Sequence, residues 1–296
     1  MKILKKAKFW FVDVSRGYSA PMSILNWAVI FALCVKLHGN VFNGILGLVG
    51  LLCAHLGANV YDDYVDYISD VPKQECKTRY LTEGLTDAPT IRKLAFLYFG
   101  IAAAIGLFFM FKCGLGVLVP AIAGGIICVI YPKMNYYCLG ELTLGAAFGP
   151  LMFAGMSYVM LGYFSMDFIL ISIPVALFTL ALLIAHALMD YDFDVSCNKK
   201  TFCTTLGSKN NALAGLFTLI LGGYIITLTL ILVGKLPLTA LYTLLTVPTA
   251  LNLRNSLKQY NEATDETQRD FMKNFRLARN LSVFFNLILL LAIIFA

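Results

Sequence analysis

Long apolar runs alternate with short polar segments along the chain, and this pattern predicts an all-α membrane protein. Nine largely uncharged runs approach the roughly 20 apolar residues that a helix needs to cross a bilayer. They lie at 18–35, 41–58, 94–111, 114–131, 142–164, 168–189, 212–234, 236–253 and 280–296. We therefore expect residues 1–296 to form a single transmembrane domain of about nine helices.

The composition excludes other classes of protein. Of the 296 residues, 59% are hydrophobic and only 14% are charged, whereas an ordinary soluble protein has about 25% charged residues. The mean hydropathy is +0.77. The 22 Phe and 15 Tyr argue against disorder. The eight cysteines are scattered singly, which is not typical of a small disulfide scaffold.

The basic residues predict how the chain is oriented in the membrane. Of the 23 Lys and Arg, all but Lys36, Lys112 and Lys235 fall on one side of the nine predicted spans. The positive-inside rule makes that side cytoplasmic, with the N-terminus inside. A multi-pass protein of the cell (inner) membrane is expected. The net charge of +6 suits the anionic lipid surface, so no nucleic-acid partner is needed, and no obligate protein partner is predicted.

The acidic residues form two clusters at the cytoplasmic ends of the second and sixth runs. Residues three, four, seven or eight apart share one helix face. We call these groups the first and the second acidic stripe. A histidine lies one helical turn before each of them, His55 before the first and His186 before the second. The first acidic stripe is Asn59, Asp62, Asp63 and Asp66, and the second is Asp190 and Asp194.

Two carboxylate stripes on the same membrane face favour a magnesium–diphosphate site. Like charges repel, and carboxylates at membrane depth are costly, so a cation is expected between them. Oxygen ligands suit Mg²⁺, which binds one or two carboxylates together with substrate phosphates. One such cluster alone is typical of a solvated loop, but two at helical spacing are not. Nearby bases could stabilise a departing diphosphate; they are Lys77, Arg79, Lys133, Lys199 and Lys200.

The two stripes also match each other in spacing. When His55 is aligned with His186 in the sequence, Asn59 aligns with Asp190 and Asp63 aligns with Asp194. Each stripe follows an apolar run and precedes a basic segment. The match suggests two related helical halves that face each other.

The first acidic stripe, continued by Asp70, resembles the first aspartate-rich motif of the UbiA superfamily of intramembrane prenyltransferases. Asp190 and Asp194, followed by Lys199-Lys200-Thr201, resemble the second motif. The resemblance covers nearly the whole chain and implies the UbiA helical bundle with an active site at the cytoplasmic face. It implies Mg²⁺-dependent transfer of a polyprenyl group from a polyprenyl diphosphate to an aromatic acceptor.

The resemblance also implies roles for individual residues. The magnesium ligands would be Asn59, Asp62, Asp63, Asp66, Asp190 and Asp194. The catalytic set would be Asp63, Asp66, Asp190, Asp194 and His186, where His186 replaces an Asn of the family pattern. Substrate contacts would come from Lys77, Arg79, Lys133, Glu141 and Lys199. Tyrosines that flank the acidic face could stabilise a carbocation; they are Tyr61, Tyr64, Tyr67, Tyr131 and Tyr136.

Several details are similar to the branch that prenylates 1,4-dihydroxy-2-naphthoate in menaquinone synthesis. The run from Leu139 to Glu141 and the run from Phe148 to Pro150 match that branch, as do Arg79 and Gly84. Departures next to the second motif, at His186 and Met189, leave other acceptors open: 4-hydroxybenzoate, a glycerol ether lipid, haem or chlorophyllide. A cation transporter is the alternative from another class, although transporters place their acids near the midplane.

Overall fold

Thirteen α-helices make up most of the part of the protein that the structure describes. The computed structural model describes residues 8–69, 79–134, 136–263 and 270–296, with only the backbone of Arg79. The helices are α1 (Ala20–Lys36), α2 (Val41–Ile68), α3 (Arg79–Thr82), α4 (Ala88–Cys113), α5 (Leu118–Met134), α6 (Gly140–Ala146), α7 (Met152–Leu161), α8 (Met166–Met189), α9 (Tyr191–Ser196), α10 (Phe202–Thr205), α11 (Lys209–Leu232), α12 (Val247–Glu262) and α13 (Phe271–Ile294).

Shorter helical turns extend several of these helices. Two of them are π-helical and three are 3₁₀-helical; they are Phe9–Val14, Ala147–Leu151, Gly17–Ser19, Leu115–Val117 and Leu238–Thr246. The π-turn that joins α6 to α7 contains Pro150, which has no N–H for the helical ladder. The basic, amphipathic start of the chain, residues 1–11, favours an interfacial helix by its sequence. Residues 1–7 of that stretch lie outside the described residues, and Phe9 to Phe11 belong to the π-turn Phe9–Val14.

Eight helical segments of the described residues are long and apolar enough to cross a membrane, and they agree with eight of the nine predicted spans. They are Gly17–Lys36, Val41–Ile68, Ala88–Cys113, Leu115–Met134, Gly140–Leu161, Met166–Met189, Lys209–Leu232 and Phe271–Ile294. The remaining run, 236–253, forms the 3₁₀ segment Leu238–Thr246 and the first turns of α12. Its threonines and Asn252 make it less apolar than the other eight.

The core is centred on α8, whose membrane-spanning window is the most buried of the eight. α8 packs against α11 and α13, while α2 packs against α4 and α5. Phe178 of α8 stacks on Phe285 of α13 with ring centroids 3.5 Å apart, and Tyr224 of α11 meets both rings edge-on. α6 contacts both α5 and α8 and so connects the two groups of helices.

Candidate active site

The two acidic stripes lie at the same end of the bundle. Near the N-terminus of α2, the N–H of Asn40 donates to the carbonyl of Met160, 2.8 Å away, and the Asn43 amide donates to the carbonyl of Val159. These carbonyls belong to the end of α7, just before α8 begins. Because α2 and α8 start at one end and cross the bundle, their C-terminal acids both lie at the other end.

The three exceptions to the charge segregation lie at the end opposite the acids. Lys36 is the last residue of α1, just before α2 starts. The Lys112 ammonium donates to Asn43 Oδ1 at 2.7 Å, and Lys235 pairs with Asp167 in the first turn of α8 at 2.8 Å. These three lysines thus lie at the end of the bundle opposite the acidic stripes, as the charge segregation predicted. Which end faces the cytoplasm stays a prediction.

Arg16 neutralises the buried part of the first acidic stripe. One guanidinium nitrogen donates to Asp63 Oδ1, and the other lies 3.5 Å from Asp62 Oδ2. The second oxygen of Asp63 accepts the Tyr80 hydroxyl proton at 2.7 Å. Asp63 is fully buried and Asp62 nearly so. Burial of the Tyr80 phenol raises its pKa, so that it stays a hydrogen-bond donor at neutral pH.

A tight turn places Arg16 over the C-terminal end of α2. Arg16 adopts left-handed backbone angles, with φ of 50°, between the π-turn and the 3₁₀ turn. The next residue is Gly17, where a Cβ atom would lie 2.6 Å from the carbonyl oxygen of Phe11. Only glycine fits this close approach, so the Arg-Gly pair is the local feature that brings the guanidinium to the acids.

Asn59 and His55 are held by serines on the segment that leads into α1. The Asn59 amide nitrogen lies 3.2 Å from Ser19 Oγ and 3.5 Å from the carbonyl of Ser15. His55 lies between two hydroxyls, with Nε2 3.1 Å from Ser19 Oγ and Nδ1 2.7 Å from Ser23 Oγ. The residues of the first stripe thus all share one continuous helix, as their spacing predicted.

The second acidic stripe lies at a break between two helices. α8 ends at Met189 and α9 begins at Tyr191, so Asp190 is the residue at the bend. Nδ1 of His186 lies 3.1 Å from Asp190 Oδ2, and the imidazole packs edge-on against the ring of Phe271, centroids 5.3 Å apart. Asp194 is buried, and its carbonyl accepts the backbone N–H of Lys199.

Asp192, which lies between Asp190 and Asp194 in the sequence, faces solvent and does not belong to the second stripe. Asp192 is exposed and pairs with Lys209 at 2.5 Å. It has the same charge as Asp194 and lies on the same short helix, but it points away from the stripe. This pair of residues therefore offers a matched comparison between an acid of the site and an acid of the surface.

Tyr136 lies close enough to both stripes to be affected by their charges. It occupies the connection between α5 and α6, which contact α2 and α8 respectively. Burial raises the pKa of Tyr136 to about 12, with further contributions from Asp66, Cys197, Asp62 and Asp194. Carboxylates of the first and second stripes thus act on one phenol, which stays neutral and able to donate a hydrogen bond.

Glu141 and the basic residues surround this acidic region at different depths. Glu141 Oε1 accepts the backbone N–H of Phe202 at 3.0 Å, which fixes the segment that follows Lys199. Lys133 is exposed at the end of α5, and Lys199 is half-buried. Lys77 and Asp70, together with the Arg79 side chain, lie outside the described residues.

The oxygen chemistry of the stripes fits a hard divalent cation bound in part by its substrate. Among the described residues, no three or more His, Cys, Asp or Glu side chains are grouped closely enough to hold a metal by themselves. Mg²⁺ typically needs only one or two carboxylates when substrate phosphates and water complete its coordination. The donors present are carboxylate and amide oxygens, which Mg²⁺ prefers.

Sequence reasoning missed four residues that shape the site: Arg16, Ser19, Ser23 and Tyr80. Arg16 is one of the cytoplasmic positive charges, and the segment from Arg16 to Pro21 is loosely similar to the opening of the naphthoate-prenylating branch, but neither feature gave it a role in the site. The other three residues carry no distinctive motif. The one available signal was an arginine and glycine placed just before the first apolar run. The acid partner of Arg16 lies 46 or 47 residues away, which no local spacing rule reveals.

Comparisons with known proteins agree on one family. The profile of the UbiA prenyltransferase family matches residues 22–287. The chain is 25% identical over 260 residues to UbiA prenyltransferase domain-containing protein 1 of Gallus gallus, covering 85% of this chain and 77% of that one.

Two solved structures share the fold. An apo UbiA homologue from Aeropyrum pernix K1 superposes with a TM-score of 0.70 and 17% identity, covering 91% of this chain and 96% of that one. A UbiA homologue from Archaeoglobus fulgidus, bound to GPP and Mg²⁺, superposes with a TM-score of 0.67 and 14% identity, covering 97% and 99% of the two chains.

Proposed function

The chain belongs to the UbiA prenyltransferase family, and on that premise we propose that it transfers a polyprenyl group from a polyprenyl diphosphate to an aromatic acceptor. The allylic C–O bond of the diphosphate breaks, a C–C bond forms to the acceptor ring, and diphosphate is released. The ring carbon gives up a proton, or CO₂ where the acceptor carries a carboxylate at that position.

The main support for this proposal is that two acidic stripes lie at one end of the bundle, near enough to Tyr136 that carboxylates of both raise its pKa. Carboxylates from two helices repel each other unless a cation or a cationic complex lies between them. A diphosphate with Mg²⁺ meets that requirement, and its isoprenoid tail gains about 0.8 kcal/mol for each CH₂ buried in the apolar bundle.

The residues that would hold Mg²⁺ are Asn59, Asp62, Asp63, Asp66, Asp190 and Asp194. Mg²⁺ neutralises the charge that builds up on the departing diphosphate. The Archaeoglobus fulgidus homologue, which binds GPP and Mg²⁺, supports this assignment through its shared fold. Asp63 is already paired with Arg16 and Tyr80, so it contributes to such a site while also positioning those two side chains.

The chain's own cations and phenols then act on the diphosphate and on the allylic group. Arg16 pairs directly with Asp63 and Asp62 of the first stripe, while Lys133 and Lys199 lie at the same end of the bundle. Lys77 and Arg79 belong to the same proposal as diphosphate contacts. The Tyr136 hydroxyl stays protonated and can donate to a phosphate oxygen.

We assign the aromatic acceptor to the side of the second stripe, where His186 lies. The imidazole contacts Asp190 and the ring of Phe271. A histidine paired with a carboxylate can accept the proton that the acceptor ring loses. The acceptor we propose is 1,4-dihydroxy-2-naphthoate or a related quinone precursor in menaquinone synthesis, and the place of action is the cell (inner) membrane, with the N-terminus cytoplasmic.

The direct test is prenyl transfer by the purified protein in nanodiscs. The reaction would contain Mg²⁺, labelled geranylgeranyl diphosphate and a panel of acceptors led by 1,4-dihydroxy-2-naphthoate. We expect a prenylated product that disappears with EDTA and in Asp194→Asn, while Asp192→Asn keeps its activity. Product from another acceptor would support prenyl transfer but would assign the protein to a different branch of the family. Folded protein that releases no diphosphate with any acceptor would refute the proposal.

A further inference from the structure

A chain of hydrogen bonds runs from the first turn of α1 to the first acidic stripe, and it passes through His55. Ser23 Oγ lies 2.7 Å from Nδ1 of His55, and Nε2 of His55 lies 3.1 Å from Ser19 Oγ. Ser19 Oγ in turn lies 3.2 Å from the amide nitrogen of Asn59. His55 and Asn59 are separated by one turn of α2, and Ser19 and Ser23 by one turn at the start of α1. Two helices are thus connected by polar groups just below the site.

The direction of each hydrogen bond follows from groups that can only accept. Ser19 Oγ lies 2.8 Å from the carbonyl of Arg16, so its single proton is donated there. Its oxygen must then accept from both His55 and Asn59. Consequently His55 carries its proton on Nε2, and Nδ1 accepts the hydroxyl proton of Ser23.

The acceptors around Asn59 determine which way its amide faces. The carbonyl of Ser15 and the oxygen of Ser19 both act as acceptors, so the group of Asn59 that faces them is the NH₂. The amide oxygen therefore lies on the other side of the planar group, away from the serines. Hard cations bind the oxygen of an amide and not its nitrogen.

We propose that His55 is a positioning residue that, through Ser19, holds Asn59 with its oxygen available as a metal ligand. The inference rests on the proposed function, in which Asn59 is one of the magnesium ligands. It assigns to His55 a role different from that of its counterpart in the second stripe. His186 contacts a carboxylate directly and is half-exposed, whereas both ring nitrogens of His55 are occupied by serine hydroxyls.

The role predicts a specific change in metal affinity. Replacing a residue that orients a metal ligand typically lowers metal affinity by about 10- to 100-fold. We therefore expect His55→Leu to raise the Mg²⁺ concentration for half-maximal activity by about that factor, while the KM for the aromatic acceptor changes little. His55→Gln can still donate an N–H to Ser19 and should restore most of the affinity.

Metal binding is measured without turnover by electron paramagnetic resonance of Mn²⁺, with geranyl S-thiolodiphosphate, whose C–S bond resists ionisation, bound to the protein in nanodiscs. Ser157→Ala is the control for Ser19→Ala, because the Ser157 hydroxyl also donates to a backbone carbonyl three residues earlier but belongs to α7. Ser157 is fully buried and Ser19 partly buried, so the control removes at least as much buried polar contact. Ser19→Ala should weaken Mn²⁺ binding, and Ser157→Ala should not. Thermal unfolding identifies any variant that fails to fold. If His55→Leu does not fold, the Mn²⁺ affinities of His55→Gln and Ser19→Ala still test whether His55 positions Asn59.

A double-mutant cycle separates this inference from the proposed function. If His55 acts through Asn59, His55→Leu has little further effect on Mn²⁺ affinity in an Asn59→Ala background. Equal effects in both backgrounds would overturn the positioning role while Mg²⁺-dependent prenyl transfer stands. Wild-type protein that binds neither Mn²⁺ nor the diphosphate analogue would overturn both.

Discussion

Replacing Arg16 by glutamine should be among the most destabilising single changes at the site. The Arg16 side chain is 17% exposed, and its partners Asp63 and Asp62 are 1% and 11% exposed. Removing one partner of a buried ion pair leaves an uncompensated charge and costs about 3–5 kcal/mol. Asp63 accounts for most of this loss, because Asp62 is less buried and lies 3.5 Å from the guanidinium. We expect Arg16→Gln to lower the free energy of unfolding by that amount.

The measurement is unfolding by SDS in mixed micelles, followed by the fluorescence of Trp10, whose carbonyl accepts the hydrogen bond of Ser15. Lys235→Gln is the matched control, because it removes an exposed ion pair at the opposite end, which contributes about 0–1 kcal/mol. In Arg16→Gln/Asp63→Asn no buried charge at position 63 remains, so the double variant should be more stable than the sum of the single changes predicts, by up to about 3 kcal/mol. Additive losses, or a loss in Arg16→Gln no larger than in the control, would show that this pair is not buried and coupled.

Three further changes test other parts of the structure. Gly149→Ala places a Cβ atom 2.6 Å from Cβ of Ala176, so it should lower the unfolding temperature, whereas Gly100→Ala meets nothing within 4 Å and should not. Glu141→Ala leaves a backbone N–H without its acceptor and should cost about 1–3 kcal/mol of unfolding free energy and raise the KM for the diphosphate, whereas Glu141→Gln should do neither. Because the pKa of Tyr136 is raised to about 12, the stability that its bound proton confers is complete below pH 10 and is lost as the pH rises to 12. Unfolding temperatures should therefore fall more steeply over that range in the wild type than in Tyr136→Phe, and parallel curves would contradict the assignment.

Local patterns in the sequence were sufficient for the spans and the stripes. Eight spans follow from the absence of charge over a membrane thickness, and the four residues of the first stripe share a helix face because α2 continues to Ile68. The ninth run, 236–253, is also uncharged, and it forms a 3₁₀ segment and the first turns of α12, which continues into Arg254 and Lys258. The partners of the stripes depend on tertiary packing. Arg16 reaches Asp63 only through a left-handed turn before α1, and Tyr80 reaches it from the segment after α2.

The two stripes have the same residue spacing, but their histidines have different hydrogen-bond partners. His55 and His186 occupy equivalent positions in sequence, but α2 is continuous beyond His55, while α8 ends three residues after His186. His55 lies beside α1, where two serines occupy its nitrogens, and the residue four positions after it is the amide Asn59. The residue four positions after His186 is the carboxylate Asp190, which the imidazole contacts directly. The first stripe therefore has a cation and an oriented amide, which suit a diphosphate and its metal. The second has a histidine beside a carboxylate, which suits proton removal from the acceptor. Under the proposed function, the different partners of the two histidines, and not the shared spacing of the acids, would give the two stripes their different roles.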